Sequence, residues 1–135
     1  FGAHNNSFPA WLWEGSAHYI AARFLGDNDL FSYEDITSRH IQEASKMVEP
    51  MQLLESWQDF LRAGTQFADE YSLAFLATKY LTDGLPDGGI KELGGFWELI
   101  GRGIPWRSSL QEAIGKTSQE FYSEFEKWRS NGFIT

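Results

Sequence analysis

The chain has no cysteine, only four prolines and two methionines in 135 residues. Without thiols it can form neither a disulfide nor a thiolate metal centre. No apolar run approaches the ~20 residues needed to span a bilayer, and no signal-peptide pattern is present. Basic residues are scarce: 11 Lys and Arg stand against 19 Asp and Glu, for a net charge of −8. That balance disfavours nucleic acid and anionic membrane surfaces as partners. Composition assigns no compartment.

What is abundant is apolar and aromatic side chain, 42% and 16% of residues, and this argues against disorder. The length suits one domain, residues 1–135, that buries roughly two thirds of its unfolded surface. Start and stop signals mark six or seven helices and no convincing strand. The first is expected from Pro9, a residue favoured at the first helical position, to Gly26. Ser32-Tyr33-Glu34-Asp35 reads as a capped start for a second, to about Met47. Pro50 opens a third, with Leu53, Leu54, Trp57, Phe60 and Leu61 at helical spacing, ended by Ala63-Gly64. A fourth runs from about Gln66 to Thr82, before Gly84 and the Leu85-Pro86-Asp87-Gly88-Gly89 loop. A fifth covers roughly Ile90 to Ile100. Ser109-Leu110-Gln111-Glu112 and Thr117-Ser118-Gln119-Glu120 both read as capping boxes, opening a sixth helix that ends at Gly115 and a seventh that ends near Gly132. The expected fold is a compact all-α bundle.

One stretch carries chemistry. Pro9-Ala10-Trp11-Leu12-Trp13-Glu14-Gly15-Ser16-Ala17-His18-Tyr19 places a carboxylate and an imidazole four residues apart, on one helical face. Its neighbours are largely apolar, and no lysine or arginine follows before Arg23. A carboxylate in apolar surroundings needs a hydrogen bond, an ion pair or a cation. Read alone, Glu14 also suits the first turn of a helix, where the macrodipole favours negative charge.

The pattern Trp-Leu-x-Glu-Gly-x-Ala-x-Tyr resembles the second metal-binding helix of gluzincin metallopeptidases, and more closely that of peptidase-like domains related to zinc aminopeptidases. The resemblance implies that Glu14 is the third zinc ligand, completing a set that H-E-x-x-H begins. Tyr71-Ser72-Leu73-Ala74-Phe75-Leu76-Ala77-Thr78-Lys79-Tyr80-Leu81 resembles a later helix of those enzymes, whose leading tyrosine donates to the oxyanion; Tyr71 falls there. Gly103 through Trp128 resembles the family's closing stretch, with Ala113-Ile114-Gly115 and Phe125-Glu126-Lys127-Trp128. The similarity thus covers nearly the whole chain, in order.

It also has a gap. No H-E-x-x-H occurs, and the three histidines are His4, His18 and His40. The expectation is therefore the C-terminal helical part of a zinc metallopeptidase-like domain, with the zinc-binding helix upstream of Phe1. Zinc and a peptide or protein substrate would belong to the longer parent, and the fragment alone would bind no zinc and be inactive. The alternatives are a degenerate, non-catalytic domain that serves as a binding module, or an unrelated helical module. The first helix would meet the missing half through Glu14, Ala17, His18 and Ala21, so truncation implies self-association through that face.

Other residues have plainer expectations. His18 is expected to hydrogen-bond Glu14 when zinc is absent. His4 and His40 read as solvated, and Glu43, Glu49 and Glu55 as surface charges. Asp69-Glu70 read as first-turn acids. Trp57, Trp97 and Trp128 are expected in the core, and Trp106, after Pro105, is expected to be an exposed loop aromatic.

Overall fold

The computed structural model describes residues 8–56, 60 and 67–134. Among these are six α-helices and no strand: α1 (Ala10–Asp27), α2 (Tyr33–Ala44), α3 (Phe67–Thr82), α4 (Ile90–Gly101), α5 (Trp106–Ile114) and α6 (Ser118–Ser130). Short 3-10 turns occupy Met51–Glu55 and Pro86–Gly89. The all-α expectation holds. His4, Trp57, Leu61 and the Ala63-Gly64 stop lie outside the described residues.

α3 is the central element. Ser72 to Thr78 are buried without interruption, because α1 and α2 pack on it along much of its length. Its two buried threonines bond within the helix: Thr78 Oγ1 donates to the Ala74 carbonyl at 3.0 Å, and Thr82 Oγ1 to that of Thr78 at 3.0 Å. That disposal lets these two threonines sit in a core helix with their hydroxyls satisfied.

Among the described elements the α1–α3 contact is the most extensive, and Gly15 is a point of close approach within it. A Cβ added at Gly15 would overlap Thr78 Oγ1 and the Ala74 carbonyl oxygen, and would lie 2.9 Å from the Ala74 carbonyl carbon. The obstruction is largely backbone, which cannot rotate away. Trp11, on one side of this crossing, stacks on Phe121 of α6 at 5.2 Å. Its Nε1 donates to Tyr122 Oη at 3.0 Å, and Tyr122 donates to Glu55 Oε2 at 2.6 Å. Tyr19, on the other side, donates to the Gly88 carbonyl at 2.6 Å and so fastens the Pro86–Gly89 turn to α1.

Several boundaries differ from the sequence reading. α1 continues past Gly26 to Asp27, and the left-handed residue after it is Asp29 (φ 56°). Gly26 is small for another reason: a Cβ there would meet the Tyr33 Cβ at 2.9 Å, where α2 begins. α2 ends at Ala44, three residues before Met47, and Pro50 opens a 3-10 turn, not an α-helix. α5 starts at Trp106 behind Pro105, so Ser109 is no N-cap; it is fully buried and its hydroxyl donates to the Ile104 carbonyl at 3.3 Å. The Thr117 capping box forms as expected. Trp106 is only 6% exposed, with the Arg107 guanidinium 4.3 Å from its ring centroid, so it is not the exposed loop aromatic. Glu55 is not a free surface charge either, since Tyr122 and Arg107 both donate to it.

Gly15→Ala tests the crossing. Alanine gains about 1 kcal/mol of helix propensity over glycine. Overpacking against backbone costs about 1–3 kcal/mol or more, so net destabilisation is expected. The urea midpoint should fall with an unchanged m-value.

Candidate functional site

Glu14 and His18 occupy successive turns of α1, on the flank of the Gly15 crossing that faces the start of α3. The crossing brings Tyr71 to them: the His18 and Tyr71 rings lie 5.4 Å apart, and the Glu14 charge acts on the Tyr71 phenol. Tyr71 itself packs against Phe60 at 5.2 Å. Burial, then the neighbouring charges of Glu14 and Glu70, raise the Tyr71 pKa, so the phenol keeps its proton at neutral pH and can donate a hydrogen bond.

Glu14 is half-buried, not enclosed, and has no hydrogen-bond or ion-pair partner among the described residues. The apolar setting read from its neighbours is only partly real. Trp11, Leu12 and Tyr19 turn inward, but Trp13, Ala17, Ile20 and Ala21 face solvent. Water therefore reaches the carboxylate, which removes the need for an internal partner. The expected His18–Glu14 hydrogen bond is not formed either. The His18 ring packs instead beside Tyr71 and, at 6.4 Å, beside His40 of α2.

His40 was expected to be solvated and is the clearest correction. Its ring stacks on Phe75 at 4.2 Å, and its Nδ1 shares a hydrogen bond with Ser72 Oγ at 2.8 Å. Burial, with His18 and Arg39 adding like charge, lowers its pKa to about 4, so it is a neutral imidazole at pH 7. A sequence signal for this exists: Tyr33, Ile36, His40 and Ala44 recur at helical spacing on one stripe of α2. Asp69 and Glu70 do lie in the first turn of α3, but at 3% and 1% exposure they are not solvated acids.

No protein-family model, curated protein or solved structure matches this chain. The chemistry of the cluster must therefore be read from its own residues. Among the described residues, no group of three or more His, Asp or Glu is arranged to hold a metal ion. What these residues offer a cation is narrower: one solvent-reachable carboxylate without a protein partner, flanked by an imidazole and a protonated phenol. That fits a single ligand position with a hydrogen-bond donor beside it, and leaves the remaining ligands to come from elsewhere.

The buried imidazole has a pH signature. The folded pKa of His40 is about 4 against 6.5 for the free side chain, so below pH 6.5 the unfolded chain binds the proton first. Its contribution is fully present above pH 6.5 and is lost as pH falls toward 4. Between pH 7 and 4.5 this loss should be about 2 kcal/mol. Urea unfolding of His40→Gln, which keeps a polar side chain but cannot titrate, should show a shallower acid loss by that amount; equal slopes in the two proteins would contradict it.

Proposed function

We propose that this chain is the helical part of a zinc metallopeptidase-like domain, in which Glu14 is one metal ligand and Tyr71 a hydrogen-bond donor to the reacting carbonyl oxygen. The observation that carries the reading is the juxtaposition at Gly15. The Glu14 motif lies on the helix that crosses the Tyr71 helix at close approach, so residues far apart in sequence share one side of the crossing.

The roles follow from the side chains. Glu14 presents a carboxylate with no partner among the described residues, which a divalent cation would neutralise. Tyr71 holds its proton and sits where that carboxylate's charge is felt, so a carbonyl oxygen gaining negative charge nearby would find a positioned donor. Such a donor contributes about 3–4 kcal/mol when it meets charge that develops only in the transition state. Zinc, when bound, supplies Lewis-acid polarisation and an activated water. Neutral His40, 6.4 Å from His18 and stacked on the buried Phe75, gives the α2 side of the site a weakly polar neighbour. The substrate class is a peptide or protein.

A second reading keeps the fold and drops catalysis: a metallopeptidase-like domain that acts as a binding module. The solvent-facing apolar side of α1, with Trp13 half exposed, favours it.

The two readings separate on the protein that carries this chain with its preceding residues. An H-E-x-x-H within about thirty residues before Phe1 is expected for the first. Glu14→Ala should then lose both bound zinc and peptidase activity. Tyr71→Phe should keep its zinc and lose roughly 10²–10³-fold in kcat with little change in KM. Zinc content and kinetics of the three proteins decide it; full activity in Glu14→Ala rules out the ligand role.

A further inference from the structure

α2 is thinly attached to the rest of the fold. Of its 12 residues only Ala44 is buried. Cavities of about 390 Å³ and 380 Å³ lie along it, and Ile36 and Arg39 line both. At its first residue the Lys79 ammonium stands 5.6 Å from the Tyr33 ring centroid, and at its last Ala44 enters the core. Between these ends, the side-chain hydrogen bond joining α2 to α3 among the described residues is His40 to Ser72, at 2.8 Å.

That bond has a direction. Ser72 is 3% exposed, and its hydroxyl has no other partner among the described residues. Its proton is therefore directed to Nδ1, and the neutral imidazole is the acceptor. A protonated ring has no lone pair to offer there. It would turn the bond round, orphan the buried Ser72 proton and hold a charge against the Phe75 ring. The neighbouring charges add to this cost. His18 of α1, 6.4 Å away, and Arg39 beside it on α2 are both basic, while α3 presents only uncharged Ser72 and Phe75. Glu43 lines the same cavity but is engaged by Lys46 at 2.8 Å, and Glu14 and Glu70 act on Tyr71. Among the described residues, no carboxylate holds an imidazolium in this seat.

We propose that His40 is an acid-operated latch: neutral, it fastens the middle of α2 to α3; protonated, it leaves its seat between Ser72 and Phe75, and α2 opens locally while the rest of the bundle stays folded. The adjoining cavity gives the ring a path to water. Opening uncovers Phe75 and the α2 side of the His18–Tyr71 contact. The sign follows from where the proton binds better. The closed ring has a pKa of about 4 against 6.5 for a ring in water, so acid favours the open helix. From pH 7 to pH 5 the open population should rise roughly 20-fold. The inference rests on α2 and α3 and does not depend on the metallopeptidase-like reading.

Amide hydrogen exchange of the full chain, followed by NMR and expressed as protection relative to an unstructured chain at each pH, reads the opening. At pH 7 the α2 amides should be less protected than those of α6, because α2 opens without the rest. Between pH 7 and pH 5 their protection should fall roughly 20-fold. His40→Gln, with its helical content checked by circular dichroism, should lose that fall. Ser72→Ala keeps the imidazole but removes its donor, and should lower α2 protection roughly 2–10-fold at pH 7. It carries the test alone if His40→Gln does not fold. One protection value shared by α2 and α6 would mean that only global unfolding occurs. That result, the same acid fall in a folded His40→Gln, or unchanged α2 protection in Ser72→Ala would each overturn the proposal.

Discussion

The absent side chain of Gly15 sets the distance between α1 and α3, and most of the tertiary structure follows from that distance. With the Ala74 carbonyl and the Thr78 hydroxyl occupying the space of a Cβ, the two helices meet backbone to backbone. Side chains before and after the crossing then reach elements they could not otherwise touch. Trp11 extends to α6, where it stacks on Phe121 and donates to Tyr122, while Tyr19 reaches the turn beyond α3. His18, one turn from Gly15, meets Tyr71 and His40. Wider helix separation would loosen the aromatic core and the acid–imidazole–phenol cluster together.

Two polar systems flank this axis and differ in how far their groups are satisfied. On the α6 side the chain Trp11–Tyr122–Glu55–Arg107–Ser118 is closed, each member bonded to the next from the core out to the surface. Burial and the Glu55 carboxylate push the Tyr122 pKa far up, so this phenol is a permanent donor, and the network is structural. On the α2 side the Ser72–His40 pair is satisfied, but Glu14 is left to water. A half-buried carboxylate with no partner among the described residues, near a protonated phenol, is a place where an external group would complete the chemistry. α1 thus presents three different surfaces: a glycine face to the core, a polar flank to α2 and α3, and an apolar stripe to solvent.

Much of the fold was legible because helix periodicity and end signals are local. The Thr117 capping box, the Ser32 cap and the long α1 and α3 patterns all appear where short-range chemistry puts them. Errors arose where one residue type serves two purposes. Gly26 looks like a helix terminator, yet it is small because Tyr33 packs against it. Ser109 has the spacing of a capping box, but Pro105 starts the helix a turn earlier and the serine becomes a core residue. Trp106 follows a proline in what resembles a loop, and is held in the core by the helix that proline initiates. His40 lay among charged neighbours, and only the stripe through Tyr33, Ile36 and Ala44 betrays its inward face.

By itself the sequence determined the helical class, the order of most elements and the pairing of Glu14 with His18 on one face, since each depends on residues a few positions apart. It also placed a glycine where a neighbour could come close. Which helix fills that space, that His18 turns to Tyr71 and His40 instead of Glu14, and that Ile20 and Phe24 stay exposed while Trp106 does not, were decided only by the tertiary structure. Those outcomes depend on which surfaces exclude water, and that is a property of packed elements, not of any one segment's pattern.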